Sequence, residues 1–302
     1  MHLLSPVLTS IPLPLDDNSR RLFHGRGGKV AGLEHICLDW FEPVILLTSF
    51  KPLTVEELDG YIEQIQLWWQ LDTQLNLVYQ CRAGLESITQ VILGQVPYPH
   101  WITEAGIRYR VHIDRGQNHG IFLDMANGRR FVSEHSQGKK VLNLFAYTCG
   151  FSLAALKGGA SEVINIDMSK GAIAIGKQNH SENDFAGLSR FLSHDIFKSW
   201  GKLKKLGPYD VIIADPPSNQ KGSFVATKDY VRLLRRLPEL LAEDAELLLC
   251  LNAPELSMDF LQQQVQEAAP QLTWIERLAN PEVYADVDED KSLKVLRYKV
   301  TS

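Results

Sequence analysis

The sequence predicts an α/β protein with a doubly wound, largely parallel sheet, preceded by a β-hairpin and a small N-terminal α+β module. The first observation is a strand–turn–helix–strand pattern in residues 139–167, KKVLNLFAYTCGFSLAALKGGASEVINID. The second is that strands and helices continue to alternate after Asp167. A βαβ unit requires a parallel sheet, and open sheets of this kind bind ligands at the carboxyl ends of their strands.

The parts of this pattern are distinct along the chain. Residues 141–145 are an apolar strand, residues 147–150 break it, and residues 151–156 have helical spacing. Residues 162–167 form a second strand that ends in the carboxylate of Asp167. An acidic side chain about twenty residues past such a turn can accept hydrogen bonds from both hydroxyls of a ribose. The alternative is an ordinary βαβ unit in which Asp167 only ends a strand.

The number of glycines in the turn distinguishes dinucleotide cofactors from adenosine ligands without phosphates. A dinucleotide site uses a G-x-G-x-x-G turn so that a pyrophosphate can approach the backbone. Here Gly150 is the only glycine of the turn. This composition disfavours a nicotinamide dinucleotide and fits an adenosine ligand without phosphates, of which S-adenosylmethionine is the commonest.

Composition and charge limit the function classes only loosely. The 302 residues are 45% hydrophobic, which suffices for a packed core, and the net charge is −5. This charge does not predict general affinity for nucleic acid, so RNA binding would require a local basic patch.

The cysteines and the N-terminus predict a cytoplasmic protein. Cys37, Cys81, Cys149 and Cys250 are widely spaced without a CxxC pair, which indicates reduced thiols and no zinc site. The first fifteen residues lack a charged leader and contain three prolines. Since no apolar run reaches ~18 residues, we expect neither a signal peptide nor a membrane span.

Residues 1–98 are predicted to form the N-terminal module, and residues 99–302 the larger domain. In the module we expect an irregular arm over residues 1–20, two strands in residues 35–50, a helix from Thr54 to about Gln70, a strand in 75–80 and a helix in 84–92. Residues 20–29 combine four basic side chains with Phe23 and His24 in a glycine-rich segment. This segment fits phosphate binding with Phe23 or His24 stacking on a base, or else a solvated surface turn.

The larger domain begins with a hairpin over residues 101–113. A loop then leads to Arg129 and Arg130. These two arginines fit either RNA binding or an exposed helix face. After Asp167 the predicted elements are a helix from Ser169 to about Asn183, strands in 189–192, 210–214 and 246–251, helices in 226–241 and 258–268, and final strands in 272–278 and 292–300.

Three carboxylates follow the ends of successive strands: Asp167, Asp195 and Asp215. A crevice receiving them suits a ligand with a diol, an exocyclic amine and a cationic centre, and S-adenosylmethionine has all three. We expect Asp195 to accept from the adenine amino group and Phe197 to lie against the purine. Taken singly, each aspartate also fits a helix N-cap.

Asp215, Pro216 and Pro217 form the most informative tripeptide. Two prolines cannot donate backbone hydrogen bonds, so they end a strand and stiffen the loop that presents Asp215. A rigid loop suits methyl transfer, in which alignment of the nucleophile with the sulfonium methyl group dominates catalysis.

The runs LNLFAYTCGFSLAALKGGASEVINIDMS, ADPPS and GIFLDMANGRRFV resemble the class I S-adenosylmethionine-dependent methyltransferases of the bacterial 23S rRNA type, which include cytosine-5 and guanine-N7 enzymes. The similarity covers roughly residues 100–265. It implies a Rossmann-like sheet, an RNA partner and S-adenosylmethionine as cofactor, and a homodimer is among the expected assemblies.

The resemblance also implies the site. Asp167 binds the ribose, Asp195 and Phe197 hold the adenine, Phe145 to Gly150 line the methionine part, and Asp215 lies by the reacting centre. The residues implied to bind cofactor are Phe122, Asp124, Asn143, Phe145, Tyr147, Thr148, Gly150, Asp167, Met168, Ser169, Asp195, Ile196, Phe197 and Asp215. Asp215, Pro216, Pro217 and Asn252 are implied to act in catalysis.

Three positions depart from the family pattern. Cys149 replaces a turn residue that is usually glycine, and Ala126 stands where relatives often have an arginine. Cytosine-5 enzymes need a cysteine thiolate that adds to the ring, and Asn252 occupies that position in an ungapped alignment. We therefore favour a nitrogen target oriented by Asn252 or Asp215. A shift of two residues would restore Cys250 as nucleophile.

Two other functions are open at this point. A cytosine-5 RNA methyltransferase would use Cys250, and a non-catalytic RNA-binding or assembly factor would retain only the cofactor pocket. Serine at position 218 disfavours an adenine-N6 enzyme, since that class has an aromatic residue after the prolines.

Overall fold

The computed structural model describes residues 3–70, 73–84, 87–220 and 222–300. The chain forms two compact units. The first comprises residues 1–124 and 282–287, and the second comprises residues 125–281 and 288–302. The sequence-based boundary at residue 98 precedes the hairpin, whereas this division follows it.

The first unit contains a five-stranded sheet with the order β1-β2-β3-β4-β5. Its elements are helices α1 (Leu4–Thr9) and α2 (Val55–Trp68), strands β1 (Arg20–His24), β2 (Ile36–Phe41), β3 (Val44–Ser49), β4 (Asn76–Cys81) and β5 (Ile88–Leu93), and the hairpin β6 (His100–Glu104) and β7 (Ile107–Val111). Only β3 and β4 pair in parallel within the sheet. Helix α2 begins at Thr54, whose hydroxyl accepts from the Glu57 N–H while the Glu57 side chain accepts from the Thr54 N–H.

Three predictions for this unit are wrong. Residues 20–24, which are expected to belong to a glycine-rich loop, form β1 by pairing with β2. Residues 4–9 form α1 instead of an irregular arm, because Leu4 and Leu8 lie one helical turn apart and both are buried in the core. Residues 88–93 form β5 instead of a helix, because Ile88 to Leu93 pair with β4 along the edge of the sheet. Four of the six residues of β5 are β-branched, and none of the six is buried, which suits an edge strand.

The second unit is built on a seven-stranded sheet with the order β10-β9-β8-β11-β14-β16-β15. The strands of this sheet are β8 (Lys140–Leu144), β9 (Glu162–Ile166), β10 (Ser189–Leu192), β11 (Tyr209–Ala214), β14 (Leu241–Leu251), β15 (Leu272–Leu278) and β16 (Lys294–Val300). Strands β12 (Asn219–Gln220) and β13 (Phe224–Val225) form a separate two-stranded sheet. The helices of this unit are α3 (Ala126–Glu134), α4 (Gly150–Lys157), α5 (Lys170–Glu182), α6 (Trp200–Leu206), α7 (Ala226–Leu234) and α8 (Met258–Ala268). The predicted doubly wound α/β fold is confirmed.

Sheet order fixes where a ligand binds. Strands β10, β9, β8, β11 and β14 are parallel, and β16 pairs antiparallel with both β14 and β15. The chain moves outward through β9 and β10 on one side of β8 and then crosses to β11 on the other side. The carboxyl ends of β8 and β11 therefore flank the point where the strand order reverses, which is the usual ligand site of such sheets.

Two further expectations for this unit need correction. The helix predicted over residues 226–241 ends at Leu234, and a 3-10 turn with Pro238 near its start leads into β14. Proline cannot continue a helix because it lacks the N–H and clashes with the preceding turn.

The two arginines of α3 differ in exposure. Arg129 is only 5% exposed, so its interpretation as part of an exposed helix face is wrong, whereas Arg130 is exposed. No helix within the described residues has the length and apolar character needed to cross a membrane.

Candidate active site

Three aspartates lie at one edge of the seven-stranded sheet. Asp167 directly follows β9, Asp195 comes shortly after β10, and Asp215 directly follows β11. Because these strands are parallel, the structure brings the three predicted residues to the same edge.

Asp167 joins two loops of this edge. Its Oδ2 accepts from the Tyr147 backbone N–H at 2.9 Å, and its Oδ1 accepts from the Ser169 N–H at 2.7 Å. The side chain is half-buried. A carboxylate has about four acceptor sites, so each oxygen keeps a lone pair for a ligand hydroxyl. Asp167 is thus more than the end of a strand, because it fixes the turn after β8 while facing the ligand edge.

The turn after β8 has an unusual backbone. Phe145, Tyr147 and Cys149 have φ values of 57°, 47° and 66°, in the left-handed region that favours glycine. Each such residue costs about 1–3 kcal/mol, and this strain persists only where neighbouring groups hold the backbone. Strained backbone of this kind is concentrated at ligand sites, and this turn begins the helix α4 at Gly150.

Helix α5 holds the turn in place. Asn179 Nδ2 donates to the Thr148 carbonyl at 3.1 Å, and both residues are buried. Gly176 packs directly against Cys149, since a Cβ at position 176 would lie 2.5 Å from the Cys149 Sγ. Burial raises the pKa of the Cys149 thiol far above its usual range, so this cysteine acts as a packing residue and not as a nucleophile.

A chain of buried hydrogen bonds connects both strands beneath the turn to α5. Asn143 Nδ2 donates to Asn165 Oδ1 at 2.9 Å, and Asn165 Nδ2 donates to the Ser152 hydroxyl at 3.0 Å. Ser152 Oγ lies 2.8 Å from His180 Nε2, and His180 Nδ1 lies 2.7 Å from the Gly176 carbonyl. The carbonyl cannot donate, so Nδ1 carries the proton and Nε2 accepts from Ser152.

This chain works only with a neutral imidazole. Burial lowers the pKa of His180 to about 4, despite the hydrogen bond to Gly176 that opposes the shift. Asn143, implied by resemblance to bind cofactor, is 1% exposed and engages Asn165 with its side chain. Its direct contact with a ligand stays a prediction, while its position within the network is a feature of the structure.

Asp195 begins a 3-10 turn. Its Oδ1 accepts from the Phe197 N–H at 2.9 Å, and the exposed Lys198 Nζ lies 3.6 Å from Oδ2. The N-cap alternative therefore describes what Asp195 does in the structure, and its side chain is half-buried, with 27% of its surface exposed. Ile196 is buried in the core beside it.

Phe197 belongs to an aromatic cluster that sequence reasoning missed. Its ring is nearly parallel to Phe224 at a centroid distance of 6.3 Å, and Phe224 meets Phe145 edge-on at 5.2 Å. The Arg232 guanidinium lies 4.3 Å from the Phe197 centroid. Phe224 comes from β13, far along the chain from both partners, so periodicity could not have placed it here.

The Asp215-Pro216-Pro217 loop is joined to the end of β14. The Ser218 hydroxyl donates to the Asn252 carbonyl, and the Ala226 N–H donates to the Ser218 carbonyl at 2.9 Å. The Asn252 side chain is exposed. Since β11 and β14 are parallel neighbours, Asp215 and Asn252 lie at adjacent strand ends.

Lys294 supports the Asn252 segment and gave no signal in the sequence. It is fully buried on β16, where its ammonium donates to the carbonyls of Ala253 at 3.2 Å, Ser292 at 3.0 Å and Asp290 at 2.5 Å. These three acceptors satisfy all three ammonium protons. Burial lowers the pKa of Lys294, against the attraction of Asp290.

Cys250 occupies a different environment from Asn252. It is 0% exposed and belongs to an apolar cluster with Val141, Val211 and Ile213 on one face of the sheet. The Tyr230 hydroxyl donates to its carbonyl. Its side chain therefore packs between the sheet and its covering elements instead of facing the ligand edge.

The remaining predicted residues divide between the units. Thr148 is buried, Met168 is 49% exposed, and the Ser169 hydroxyl accepts from the Ala172 N–H at 3.2 Å as the N-cap of α5. Phe122 and Asp124 lie in the first unit, so their contact with a cofactor stays a prediction.

No group of three or more metal-ligating side chains occurs in the part of the chain that the structure describes.

The residues at this edge fit an adenosyl sulfonium ligand. The free lone pairs of Asp167 suit a ribose diol, and the acidic side chains suit a cationic centre. The turn, with Gly150 as its only glycine, does not form the glycine-rich cradle that a pyrophosphate needs. A model of the S-adenosylmethionine-dependent methyltransferase family matches residues 20–299. The chain belongs to this family. Family membership confirms the predicted cofactor, S-adenosylmethionine.

Relatives of this family member include ribosomal RNA enzymes. It is 40% identical over 139 residues to ribosomal RNA large subunit methyltransferase I of Aeromonas salmonicida, covering 45% of this chain and 35% of the relative. The chain thus spans about a third of that relative's length. It is 28% identical over 312 residues to YwbD of Bacillus subtilis, provisionally named a ribosomal RNA large subunit methyltransferase, covering 93% of this chain and 74% of the relative.

A solved structure gives the same fold. The protein SMU.776, crystallised in complex with SAH, superimposes with a TM-score of 0.84 at 26% identity, covering 94% of this chain and 75% of that chain. The Rossmann-like methyltransferase fold inferred for this family member is thereby confirmed.

Proposed function

We propose that this protein transfers the methyl group of S-adenosylmethionine to a base of large-subunit ribosomal RNA, with a base nitrogen as acceptor. The names of the relatives support the substrate class. The observation that carries the proposal is the arrangement at the sheet edge, where Asp167 fixes the strained turn and the Asp215 loop is joined to the exposed Asn252.

Each residue has a defined task in this proposal. Asp167 holds the ribose hydroxyls, Asp195 accepts from the adenine amino group, and the backbone of Phe145 to Gly150 surrounds the methionine portion. When bound, S-adenosylmethionine supplies an electrophilic methyl group. Asp215 and the Asn252 amide oxygen accept hydrogen bonds from the target base and orient its nitrogen lone pair, so that catalysis is mainly alignment.

The environment of Cys250 supports a nitrogen target over cytosine carbon 5. A cytosine-5 enzyme needs a thiolate that reaches the ring, and the burial of Cys250 in an apolar cluster disfavours such access. A nitrogen atom attacks with its own lone pair and needs no such nucleophile.

Mapping of modified nucleotides tests the function. We expect 23S rRNA from a deletion strain to lack one methylated base, and the purified protein with S-adenosylmethionine to restore it on that RNA. Methylation at a ring or amino nitrogen supports the proposal, whereas a restored 5-methylcytosine contradicts the nitrogen assignment. Unchanged rRNA, together with cofactor binding, would favour the non-catalytic factor.

We also propose a cytoplasmic site of action, where ribosomal RNA is accessible, and a role for the first unit in RNA binding. Assembly into a homodimer stays a prediction.

A further inference from the structure

The first unit gathers basic and aromatic side chains at one edge of its sheet. Strands β1, β3 and β4 run in the same direction, because β2 is antiparallel to β1 and β3 while β4 is parallel to β3. Arg26 follows β1, Phe50 follows β3, and Arg82 follows β4. The Arg82 N–H donates to the Ser49 carbonyl at 2.8 Å, which ties two of these strand ends together.

The segment 20–29 contributes less to this edge than its sequence suggests. Arg20 pairs with Asp16, and Arg21 makes a bidentate pair with Asp39 at 2.7 and 2.9 Å. Phe23 is 7% exposed in the core, so the expectation that it stacks on a base is wrong. Two of the four cations are therefore already neutralised within the fold.

Arg82 is a half-buried guanidinium whose hydrogen-bond partners are neutral. Its Nε donates to Gln80 Oε1 at 2.5 Å, and its Nη2 lies 2.7 Å from His119 Nε2. His119 Nδ1 lies 3.0 Å from the His112 carbonyl, so Nδ1 carries the proton and Nε2 accepts from Arg82. Burial and the Arg82 charge lower the pKa of His119 to about 4, which keeps this imidazole neutral. Across the described ranges, no carboxylate lies within ion-pair distance of Arg82. Burial lowers the pKa of Arg82, and the more distant carboxylate of Asp39, which is paired with Arg21, opposes this shift.

Arg26 completes the edge. It is exposed, and its guanidinium lies 4.4 Å from the centroid of Phe50. Burial, Arg21 and Arg26 lower the pKa of His24 to about 4, and they outweigh the opposing effects of Asp39 and Asp286. In the described part of the chain, Arg26 likewise has no carboxylate within ion-pair distance.

We infer that Arg26 and Arg82, beside Phe50, bind phosphodiester groups of the RNA substrate. The inference rests on the proposed function and deepens it by assigning RNA contacts in the first unit. A desolvated guanidinium without a carboxylate partner is costly unless an anion binds it, and a planar fork next to an aromatic ring matches a nucleic-acid backbone.

Binding of a fluorescent 23S rRNA fragment to the full chain tests this site. We expect Arg26→Gln and Arg82→Gln each to raise the Kd by about tenfold at moderate salt and to reduce the salt slope by about one. Arg20→Gln is the matched control, because it removes the same charge from a neutralised pair and should leave the Kd within about twofold. Arg82→Lys, which keeps the charge, should lie between wild type and Arg82→Gln, and it covers the case in which Arg82→Gln does not fold.

Two results would overturn the site. One is a wild-type Kd and salt slope in folded Arg26→Gln and Arg82→Gln or, where Arg82→Gln does not fold, a wild-type Kd in both Arg26→Gln and Arg82→Lys. The other is equal weakening by Arg20→Gln, which would indicate a general charge effect. The proposed function fails separately: if wild-type protein binds the fragment but methylates no rRNA, methyl transfer is contradicted while the phosphate contacts stand.

Discussion

Asp167 Oδ2 accepts a hydrogen bond of 2.9 Å from the backbone N–H of Tyr147, whose φ of 47° lies in the left-handed region. One carboxylate therefore holds a strained turn from the neighbouring strand and still faces the ligand edge. This relationship couples cofactor binding to the geometry of the turn. Several residues away from the ligand edge should consequently affect the site.

Asn252 is expected to act on the target base. Asn252→Ala should lower kcat for RNA methylation by about 10²-fold, because a misplacement of the reacting groups by about 1 Å can cost this much in rate. Affinity for S-adenosylhomocysteine should stay unchanged. Gln263→Ala, at an exposed position of α8, is the control. Equal kcat in Asn252→Ala and wild type would remove Asn252 from the mechanism.

Cys250 is expected to be dispensable for chemistry. Cys250→Ala should keep the methylation rate within about threefold and lose about 1 kcal/mol of unfolding free energy, since it removes one buried atom from an apolar cluster. RNA containing 5-fluorocytosine should form no covalent adduct with the wild-type protein. An adduct that disappears in Cys250→Ala would establish the cytosine-5 mechanism instead.

Gly176 and Cys149 should be energetically coupled. Gly176→Ala places a Cβ 2.5 Å from the Cys149 Sγ, so we expect a loss of about 1–3 kcal/mol in unfolding free energy and weaker cofactor binding. Cys149→Gly removes the sulfur and suits the φ of 66°. The double variant should therefore be more stable than Gly176→Ala. A double-mutant cycle of thermal unfolding measures this coupling, and strict additivity would contradict the close packing.

The network beneath the turn should make stability depend on pH. His180 has a folded pKa of about 4 against its ordinary value of 6.5, so the unfolded chain binds more protons between these values. The contribution of neutral His180 to the unfolding free energy is therefore fully present above pH 6.5. It falls by about 1.4 kcal/mol per pH unit as the pH drops from 6.5 toward 4. Denaturant unfolding at several pH values in this window should show that the unfolding free energy of His180→Gln changes less steeply with pH than that of the wild type. An unchanged slope would show that His180 does not titrate as described.

The sheet edge could be predicted because its signals are local. Asp167 and Asp215 each end an apolar run, and parallel strands place such residues together. The capped starts of α2 at Thr54 and α5 at Ser169 were likewise predicted and observed. These features depend on neighbours within a few residues.

Other features depend on contacts between distant segments. Ser152, Asn165 and His180 pair only because two strands and two helices pack around them. Phe224 reaches Phe197 through a short hairpin, and the buried ammonium of Lys294 is satisfied by carbonyls of separate loops. Strand β5 is defined by pairing with β4 and not by its own pattern. No periodicity in the sequence encodes such contacts.

Calorimetry with S-adenosylhomocysteine on Asp167→Ala tests the central claim most directly. Glu243→Ala, an exposed acidic position, serves as the control, and thermal unfolding confirms that both variants fold. The account predicts about 100-fold weaker binding in Asp167→Ala, since two charge-assisted hydrogen bonds are worth about 3 kcal/mol or more together, and wild-type binding in Glu243→Ala. A folded Asp167→Ala variant that binds S-adenosylhomocysteine as tightly as wild type would contradict it.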